Sequence, residues 1–352
     1  MRKNRIKNRF FLFFYNKDKQ KKRRDILEDL YFEKKYGRLY EAIEGGICEE
    51  FIFRHELGTV HHMFINRKIP VDIQGIHYYD LTTPYGYGGP VIVELQDKAR
   101  KEELVAHFCQ AFQAYCLEHN IVSEFVRFHP ITGNAEDFKS CYNVRFRRHT
   151  TGTTLKGFKD PIQEEFSGST RKRIRKALKD GVTYRITVGP SDLNQFQDIY
   201  TKTMERIGAD SLYFFDDAYF SNVLEYFGEQ LILVEALFDS QVIGAELHFL
   251  SGRVIHTHLS GTLDNFNHLS PVYIMTYAIA LWGKEHGVEL IHSGGGITTA
   301  PDDSLYLFKK RFGKNTEFDY YIGDKIWNKE IYQELIQLTE SYTETELFPT
   351  YR

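Results

Sequence analysis

The stretch "AIALWGKEHGVELIHSGGG", residues 278–296, carries the strongest signal of the chain's architecture. It begins as an apolar helix, passes through Glu285, His286 and a glycine, and continues into a short apolar strand. A second stretch, "AFQAYCLEHNIVSEFVRFHP" at residues 111–130, repeats this order, and the two Glu-His pairs are 167 residues apart (285 − 118). Self-similarity at the same structural point in each half predicts two copies of one α/β unit.

The second half shows the order of elements most clearly. Two helices, one opening at Pro190 and one over about residues 217–227, precede three strands, "LILVEALF", "QVIGAELHFL" and "RVIHTHLSGT". A largely apolar helix follows, with Ser270 as N-cap and Pro271 at its first position, and leads into "VELIHSGGG". Hairpins make strands antiparallel, whereas a helix crossover makes the last pair parallel. The predicted fold class is α/β (α+β mixed sheets), with two tandem units and a groove between them.

Charge separates the N-terminal residues from the rest of the chain. Residues 1–24 contain eleven Lys or Arg and one acid, Asp18, which sum to +10, and the whole chain carries −3, so residues 25–352 carry −13. A strongly basic segment is typical of an interaction tail. The predicted divisions are a basic tail at 1–24, a first unit at 25–155, a second unit at 156–325, and a C-terminal helix at 326–352 that packs on the body.

The basic tail contains the apolar run "FFLFFY" at residues 10–15. A membrane-spanning helix requires about 20 apolar residues, so this run cannot span a bilayer. Aromatics flanked by basic residues suit peripheral contact with an anionic membrane, and a solvated leader is the alternative. The sequence predicts a cytoplasmic protein with an optional membrane contact through this tail.

The cysteines and strand histidines give no sign of a metal site. Cys48, Cys109, Cys116 and Cys141 show neither metal-ligand spacing nor a disulfide pattern, which predicts a reducing compartment. His256 and His258 would share a strand face, but a third ligand at suitable spacing is missing. We therefore predict no metal and no resident cofactor.

Four motifs carry a resemblance to a known family. They are "TPYGYGGPVI" and "VRFHP" in the first half, and "STRKRIRKALKDGV" and "GGGITTAPDDSLYLFKKRFG" in the second. Over roughly residues 30–325 the chain resembles the FemABX-type branch of the GNAT acyltransferase superfamily, which builds peptidoglycan cross-bridges from aminoacyl-tRNA. The most specific match is a glycine-ended strand followed by a loop and the residues Leu305, Tyr306, Phe308, Lys309, Phe312 and Gly313.

The resemblance implies a site where a strand ends in glycine. In a GNAT unit the strands before and after the crossover helix separate, and donor and acceptor meet in the gap. Gly294, Gly295 and Gly296 would let a ligand approach the backbone and would offer N–H groups to an acyl carbonyl. Lys309 would place a cation at a donor phosphate or an oxyanion, and a solvated Lys309–Lys310 pair is the alternative. Tyr306, Phe308 and Arg311 would bind substrate.

Further candidates lie in the other motifs. Arg127 and His129 share a strand face in the first half, and the pKa of histidine suits deprotonation of an amine near neutral pH. We predict His129 as a general base and Arg127 as a substrate contact, although related enzymes commonly show an acidic residue there. Tyr85 and Tyr87 would line the groove or pack a turn.

The helix that begins in "STRKRIRKAL" carries six cations between Arg171 and Lys179, with Ile174, Ala177 and Leu178 as its predicted apolar stripe. Arg171 and Arg175 would contact phosphate or tRNA, and a solvated basic face is the alternative. The pyrophosphate loop usual in acetyl-CoA-dependent GNAT enzymes is missing, because "LDNFNHLSPVY" and "VELQDKAR" occupy its two possible places. This absence weakens a CoA donor.

The functional expectation is an enzyme, an acyltransferase. It would transfer an acyl or aminoacyl group to an amine of a cell-wall or cell-envelope precursor, lipid- or nucleotide-linked, with aminoacyl-tRNA or acyl-CoA as co-substrate. The alternative is an acyl-CoA-dependent N-acyltransferase acting on a nucleotide-linked or polysaccharide sugar. A non-catalytic nucleic-acid-binding protein fits poorly, because residues 25–352 are acidic.

Overall fold

The computed structural model describes residues 29–339 and 348–352, so the predictions for the tail at 1–24 lie outside the described residues. The chain divides into two compact units. The first unit consists of the described residues up to Arg145 together with those from Tyr321 onward. The second unit is Phe146–Tyr320.

The elements below are numbered along the chain. In order they are α1 (Lys34–Leu39), α2 (Glu41–Glu44), β1 (Ile47–His55), β2 (Gly58–Lys68), β3 (Tyr79–Thr82), β4 (Val91–Leu95), α3 (Lys101–Glu118), β5 (Ile121–Arg127), α4 (Asn134–Phe138), β6 (Asn143–Thr154), α5 (Pro161–Glu165), α6 (Gly168–Lys179), β7 (Thr183–Val188), α7 (Asn194–Ile207), α8 (Asp217–Phe227), β8 (Leu231–Phe238), β9 (Gln241–Ser251), β10 (Val254–Thr262), α9 (Pro271–Glu285), β11 (Leu290–Gly295), α10 (Ser304–Lys310), β12 (Glu317–Ile326) and α11 (Lys329–Leu338).

The first unit is built on a mixed sheet. Its strands lie in the order β1-β2-β3-β5-β12, and β4 pairs with β2. β1 and β2 form an antiparallel hairpin, whereas β3 and β5 are parallel across the α3 crossover, with Tyr79 opposite Ile121. The C-terminal half of β12 pairs antiparallel with β5, with Ile322 opposite Arg127.

Helix α3 covers this sheet with an aromatic stripe. Phe108 and Phe112 are fully buried one helical turn apart, and their rings stack 5.6 Å from centroid to centroid. Truncation of a buried Phe to Ala typically costs about 3–5 kcal/mol, so this stripe is a major source of stability for the first unit. Helix α11 adds a smaller cluster, in which Tyr332 and Leu335 pack with Val122.

The second unit has the predicted order of elements. Helices α7 and α8 precede β8, β9 and β10, and α9 leads into β11. The strands lie in the order β6-β11-β10-β9-β8-β7. Both hairpin pairs, β8–β9 and β9–β10, are antiparallel, and β10–β11 is parallel. The predicted mixed sheet of this unit is confirmed.

Two local predictions for the helices need correction. Ser270 does precede α9, but its φ of +60° places it in the left-handed region and its side chain makes no capping hydrogen bond, so Pro271 alone supplies the expected helix start. On α6, Ile174 and Ala177 are buried as predicted, whereas Leu178 is exposed. Leu178 follows Ala177 by one residue, and a step of 100° turns it away from the buried face.

The prediction of unpaired cysteines was wrong for two of the four. Cys109 on α3 and Cys141 after α4 form a disulfide with a Cα–Cα distance of 5.8 Å, while Cys48 and Cys116 are buried free thiols. The 32-residue separation of the pair carries no sequence signal, because only the packing of α4 against α3 brings the two residues together.

Among the described residues, none of the helices combines the length and the apolar character that crossing a bilayer requires.

Candidate active site

The second unit contains a gap between two parallel strands. β10 and β11 pair over only three positions, from Val254–Leu290 to His256–His292. Beyond these positions, β10 stays paired with β9 as far as Thr262. β11 instead stays paired with β6, with Gly295 opposite Thr150. Each strand has a register shift at this point, after Thr257 in β10 and after His292 in β11. Irregularities of this kind bend a strand and release backbone groups from the ladder, so the two strands separate here.

The corresponding strands of the first unit stay together. β3 and β5 pair as far as Thr82–Phe125, the N–H of Thr83 then donates to Phe125 O at 3.2 Å, and the N–H of Gly88 donates to Arg127 O at 2.7 Å. Among residues 29–339 and 348–352, the parallel strands that flank the crossover helix therefore separate in the second unit and stay hydrogen-bonded in the first.

The glycine-rich end of β11 is held by Asp303. Gly294 has φ +73°, and a Cβ on Gly296 would overlap the Asp303 carboxylate. That carboxylate accepts hydrogen bonds from the N–H groups of Ile297 (3.0 Å), Thr298 (2.7 Å) and Tyr306 (2.8 Å), which lower the pKa of Asp303 to about 2. Asp303 thus closes the loop and caps α10 with one side chain. The sequence contained this acid, but nothing in its pattern showed this role.

Lys309, the predicted cation of the site, contacts the glycine end of β11, and its catalytic role stays a prediction. Its Nζ donates to Gly295 O at 2.8 Å. Loss of hydration lowers the pKa of Lys309 to about 8; among nearby charges Glu246 and Asp303 oppose this shift, and Arg148 adds to it. The neighbouring Lys310 lies elsewhere, because it donates to Thr316 O at 3.0 Å and pairs with Glu317 at 3.2 Å.

Arg148 of β6 is a second cation at the same loop, and sequence reasoning missed it. Its Nη1 donates to Gly296 O and to Ile297 O (2.9 Å). Its Nε is buried and, in the part of the chain that the structure describes, has no hydrogen-bond partner. Arg148 and Lys309 together bind three successive carbonyls, which concentrates positive charge at the split. Arg148 carries no motif of its own, so only the pairing of β6 with β11 could reveal it.

The other residues of the Lys309 motif have different surroundings. The Tyr306 hydroxyl donates to the Glu317 carboxylate, and burial raises the pKa of Tyr306. Phe308 packs against Tyr273 with a ring separation of 5.5 Å, and the Arg311 side chain is exposed. Among these predicted contacts, Lys309 is the one whose charged end reaches the glycine loop.

The basic helix α6 is only partly available to a ligand. Arg171 is occupied by the carbonyls of Phe166 and Gln163, the latter at 3.0 Å, whereas Arg175 is exposed. Arg173, which the sequence did not single out, donates to the Tyr273 hydroxyl at 3.2 Å and lies over that ring at 4.9 Å.

His129 of the first unit is enclosed. It is 1% exposed, and its Nδ1 accepts from the N–H groups of Ile131 (3.2 Å) and Thr132 (3.4 Å). Its Nε2 lies 3.3 Å from the Asp29 carboxylate. These contacts suit a structural role for the ring, and its role as a general base stays a prediction.

The remaining first-unit candidates also have protein partners. Arg127 donates to Thr83 O at 2.6 Å and lies 3.4 Å from Glu44. Tyr85 accepts at its carbonyl from a buried tyrosine, Tyr36, at 2.9 Å, and its ring is 39% exposed. The Tyr87 ring lies 5.7 Å from that of His129, so Tyr87 belongs to the aromatic packing around this histidine.

Comparisons with known proteins agree with this geometry. Residues 164–302 match the family described as an acetyltransferase (GNAT) domain. A UDP-N-acetylmuramoylpentapeptide-lysine N(6)-alanyltransferase from Weissella viridescens is 26% identical over 175 residues, which is 49% of this chain and 51% of that protein. The crystal structure of FemX superposes with a TM-score of 0.66 at 15% identity, covering 87% of this chain and 94% of that chain. A conserved protein of unknown function from Bacteroides thetaiotaomicron gives a TM-score of 0.51 at 10% identity over 85% of this chain and 92% of that one.

These findings confirm the fold class and the resemblance to FemABX-type GNAT proteins. The chain spans about half the length of the curated relative that it matches. The matched GNAT domain includes β10, α9 and β11, so it contains the split between the strands.

Proposed function

We propose that this protein transfers an acyl or aminoacyl group to an amine of a cell-envelope precursor. The observation that carries the proposal is the split between β10 and β11, with the Lys309 ammonium bound at the glycine end of β11. The alanyltransferase relative supports a more specific acceptor, the side-chain amine of a lysine in a UDP-linked muramoyl pentapeptide.

The chemistry follows from the charges at the split. An amine that attacks an ester carbonyl places negative charge on the carbonyl oxygen in the transition state. Lys309 and Arg148 are fixed by the carbonyls of the glycine loop, so they would meet this charge, or a donor phosphate, with little reorganisation. The remaining contribution is the alignment of donor and acceptor in one site.

Aminoacyl-tRNA is the donor that we favour over acetyl-CoA. A pyrophosphate would need several free N–H groups at the start of α9, but Pro271 has none. The segment before it is a short 3-10 helix, Asp264–Leu269, which begins with an acid rather than with glycines. The competing proposal is an acyl-CoA-dependent N-acyltransferase, because the matched family is described as an acetyltransferase (GNAT) domain.

The product of the full chain tests the proposal. Purified protein would be incubated with UDP-N-acetylmuramoyl pentapeptide containing lysine and with either alanyl-tRNA or acetyl-CoA, and the product would be weighed by mass spectrometry. We expect the mass of one added alanyl group with the first donor. An acetylated product, with no alanyl product, would replace the proposal by the CoA-dependent alternative.

A further inference from the structure

The second unit contains a buried acid–histidine pair that the site described above does not use. Glu246 and His248 lie two residues apart on β9 and therefore on the same face of the sheet. They are 5% and 0% exposed, and His248 Nε2 lies 3.3 Å from Glu246 Oε2. Among the described residues, neither Nδ1 nor Nε2 of His248 has a hydrogen-bond partner, so its contact with Glu246 is a close approach rather than a hydrogen bond.

The pair lies on the sheet face of the proposed site. A Cβ on Gly244, two residues before Glu246, would contact Pro271 and Met275 of α9, so Glu246 shares the α9 face. Glu246 pairs with Ser260, in the part of β10 that has already separated from β11. A buried carboxylate is costly unless a charge or hydrogen bonds compensate it, so its position beside an opening in the sheet calls for a function.

The Glu246 carboxylate interacts electrostatically with Lys309. Of the charges that act on the Lys309 ammonium, Glu246 is the one that most strongly favours the charged form. The Lys309 ammonium also interacts with Arg148 of β6 and with Asp303 before α10. His248 of β9 lies beside Glu246. Arg148 and Asp303 are already engaged by the loop, whereas among the described residues Glu246 has only His248 as a side-chain partner.

We propose that Glu246, which lies beside His248, is the base that takes a proton from the acceptor amine. This inference rests on the proposed function. The acceptor enters as an ammonium, and one of its protons moves to the Glu246 carboxylate to leave a neutral amine. Attack of the nitrogen lone pair on the donor ester forms the C–N bond. The C–O bond then breaks, the leaving oxygen takes a second proton from the nitrogen, and Glu246 releases its proton to water. The products are an amide and an alcohol.

The test is the pH profile of Glu246→Gln in the alanyl-tRNA and UDP-pentapeptide assay. The amide matches the carboxylate in size but accepts no proton, so we expect kcat to fall by about 10²-fold or more and the decline of the rate toward acid pH to disappear. Glu246→Asp keeps the carboxylate and should recover part of kcat. His248→Asn should lower kcat less than Glu246→Gln does and move the acid decline.

Glu235→Gln is the matched control. Glu235 is also buried, but it lies on the opposite face of the sheet, because it follows Val234, the β8 residue paired with Glu246. There it accepts two hydrogen bonds from Arg185, of 2.6 and 2.8 Å. Its loss should lower the melting temperature and leave the pH profile unchanged. A Glu246→Gln protein with full kcat and an unchanged profile overturns the inference. If Glu246→Gln does not fold, full kcat in Glu246→Asp overturns it, because a carboxylate withdrawn by one methylene should lose rate as the base. An unmodified protein that forms no product overturns the proposed function instead.

Discussion

Burial of the Lys309 ammonium opposes the stability of the fold. The folded protein lowers the pKa of this lysine from 10.5 to about 8, chiefly because the ammonium loses hydration. Below pH 8 the lysine is protonated in both the folded and the unfolded state. The free energy of folding therefore includes the cost of burying a poorly hydrated ammonium. Between about pH 8 and 10.5 the unfolded state binds more protons, and this group therefore makes stability rise with pH.

Replacement of Lys309 by Met should therefore raise the melting temperature at pH 7 relative to the unmodified protein. This difference in melting temperature should shrink as pH rises from 8 to 10.5. Over that range Lys309 loses its proton in the folded unmodified protein, so the free-energy cost of a buried ammonium disappears. Thermal unfolding followed by circular dichroism at several pH values measures both effects. A Met variant that is clearly less stable at pH 7 would show that the Lys309–Gly295 hydrogen bond dominates, which would make Lys309 structural.

Sequence reasoning found some of these residues and missed others for a physical reason. Lys309 and the glycines lie in one continuous motif, so a family pattern could mark them. Arg148 and Glu246 reach the same place from β6 and β9, and neither has a local pattern. Their placement depends on which strands pair, and no short stretch of sequence predicts the pairing of distant strands.

Among the helices and strands, one local signal marks the C-terminal end of two helices. α3 and α9 both end one residue before a histidine, and the ring of that histidine stacks on the aromatic residue four positions earlier at 4.1 Å. Each histidine Nδ1 lies 2.8 Å from the carbonyl of that aromatic residue. Asn120 and Gly287 then take the left-handed conformation that starts the next strand. The repeated Glu-His pair therefore forms the same type of C-terminal helix end in α3 and in α9.

The loop after β11 is the element whose shape we expect to control the rate. Gly296→Ala should lower kcat by at least about tenfold, because the new methyl group would displace the Asp303 carboxylate and with it the loop that Lys309 binds. The control is Gly168→Ala at the start of α6, where a methyl group meets open space. Steady-state kinetics of both variants provide the measurement, and equal rates would mean that the loop geometry does not matter for turnover.

At the scale of the whole molecule, two similar units have come to differ. Both have a mixed sheet and a helix that ends in the same way, and the likeness to FemX covers 87% of the chain. Only in the second, among the described residues, do the strands flanking the crossover separate and two cations bind the loop beside them. A repeated sequence pattern could predict the doubling, but not this difference, because the opening depends on register shifts in β10 and β11.

If acyl transfer takes place at this split, the Lys309→Gln variant should lose turnover. We expect a loss of about 10²–10³ in kcat, because one preorganised contact to transition-state charge disappears, with little loss of thermal stability. Lys314→Gln, an exposed lysine five residues later, should keep nearly full activity. Equal rates for the two variants and the unmodified protein, measured with alanyl-tRNA and the UDP-linked pentapeptide, would contradict the claim.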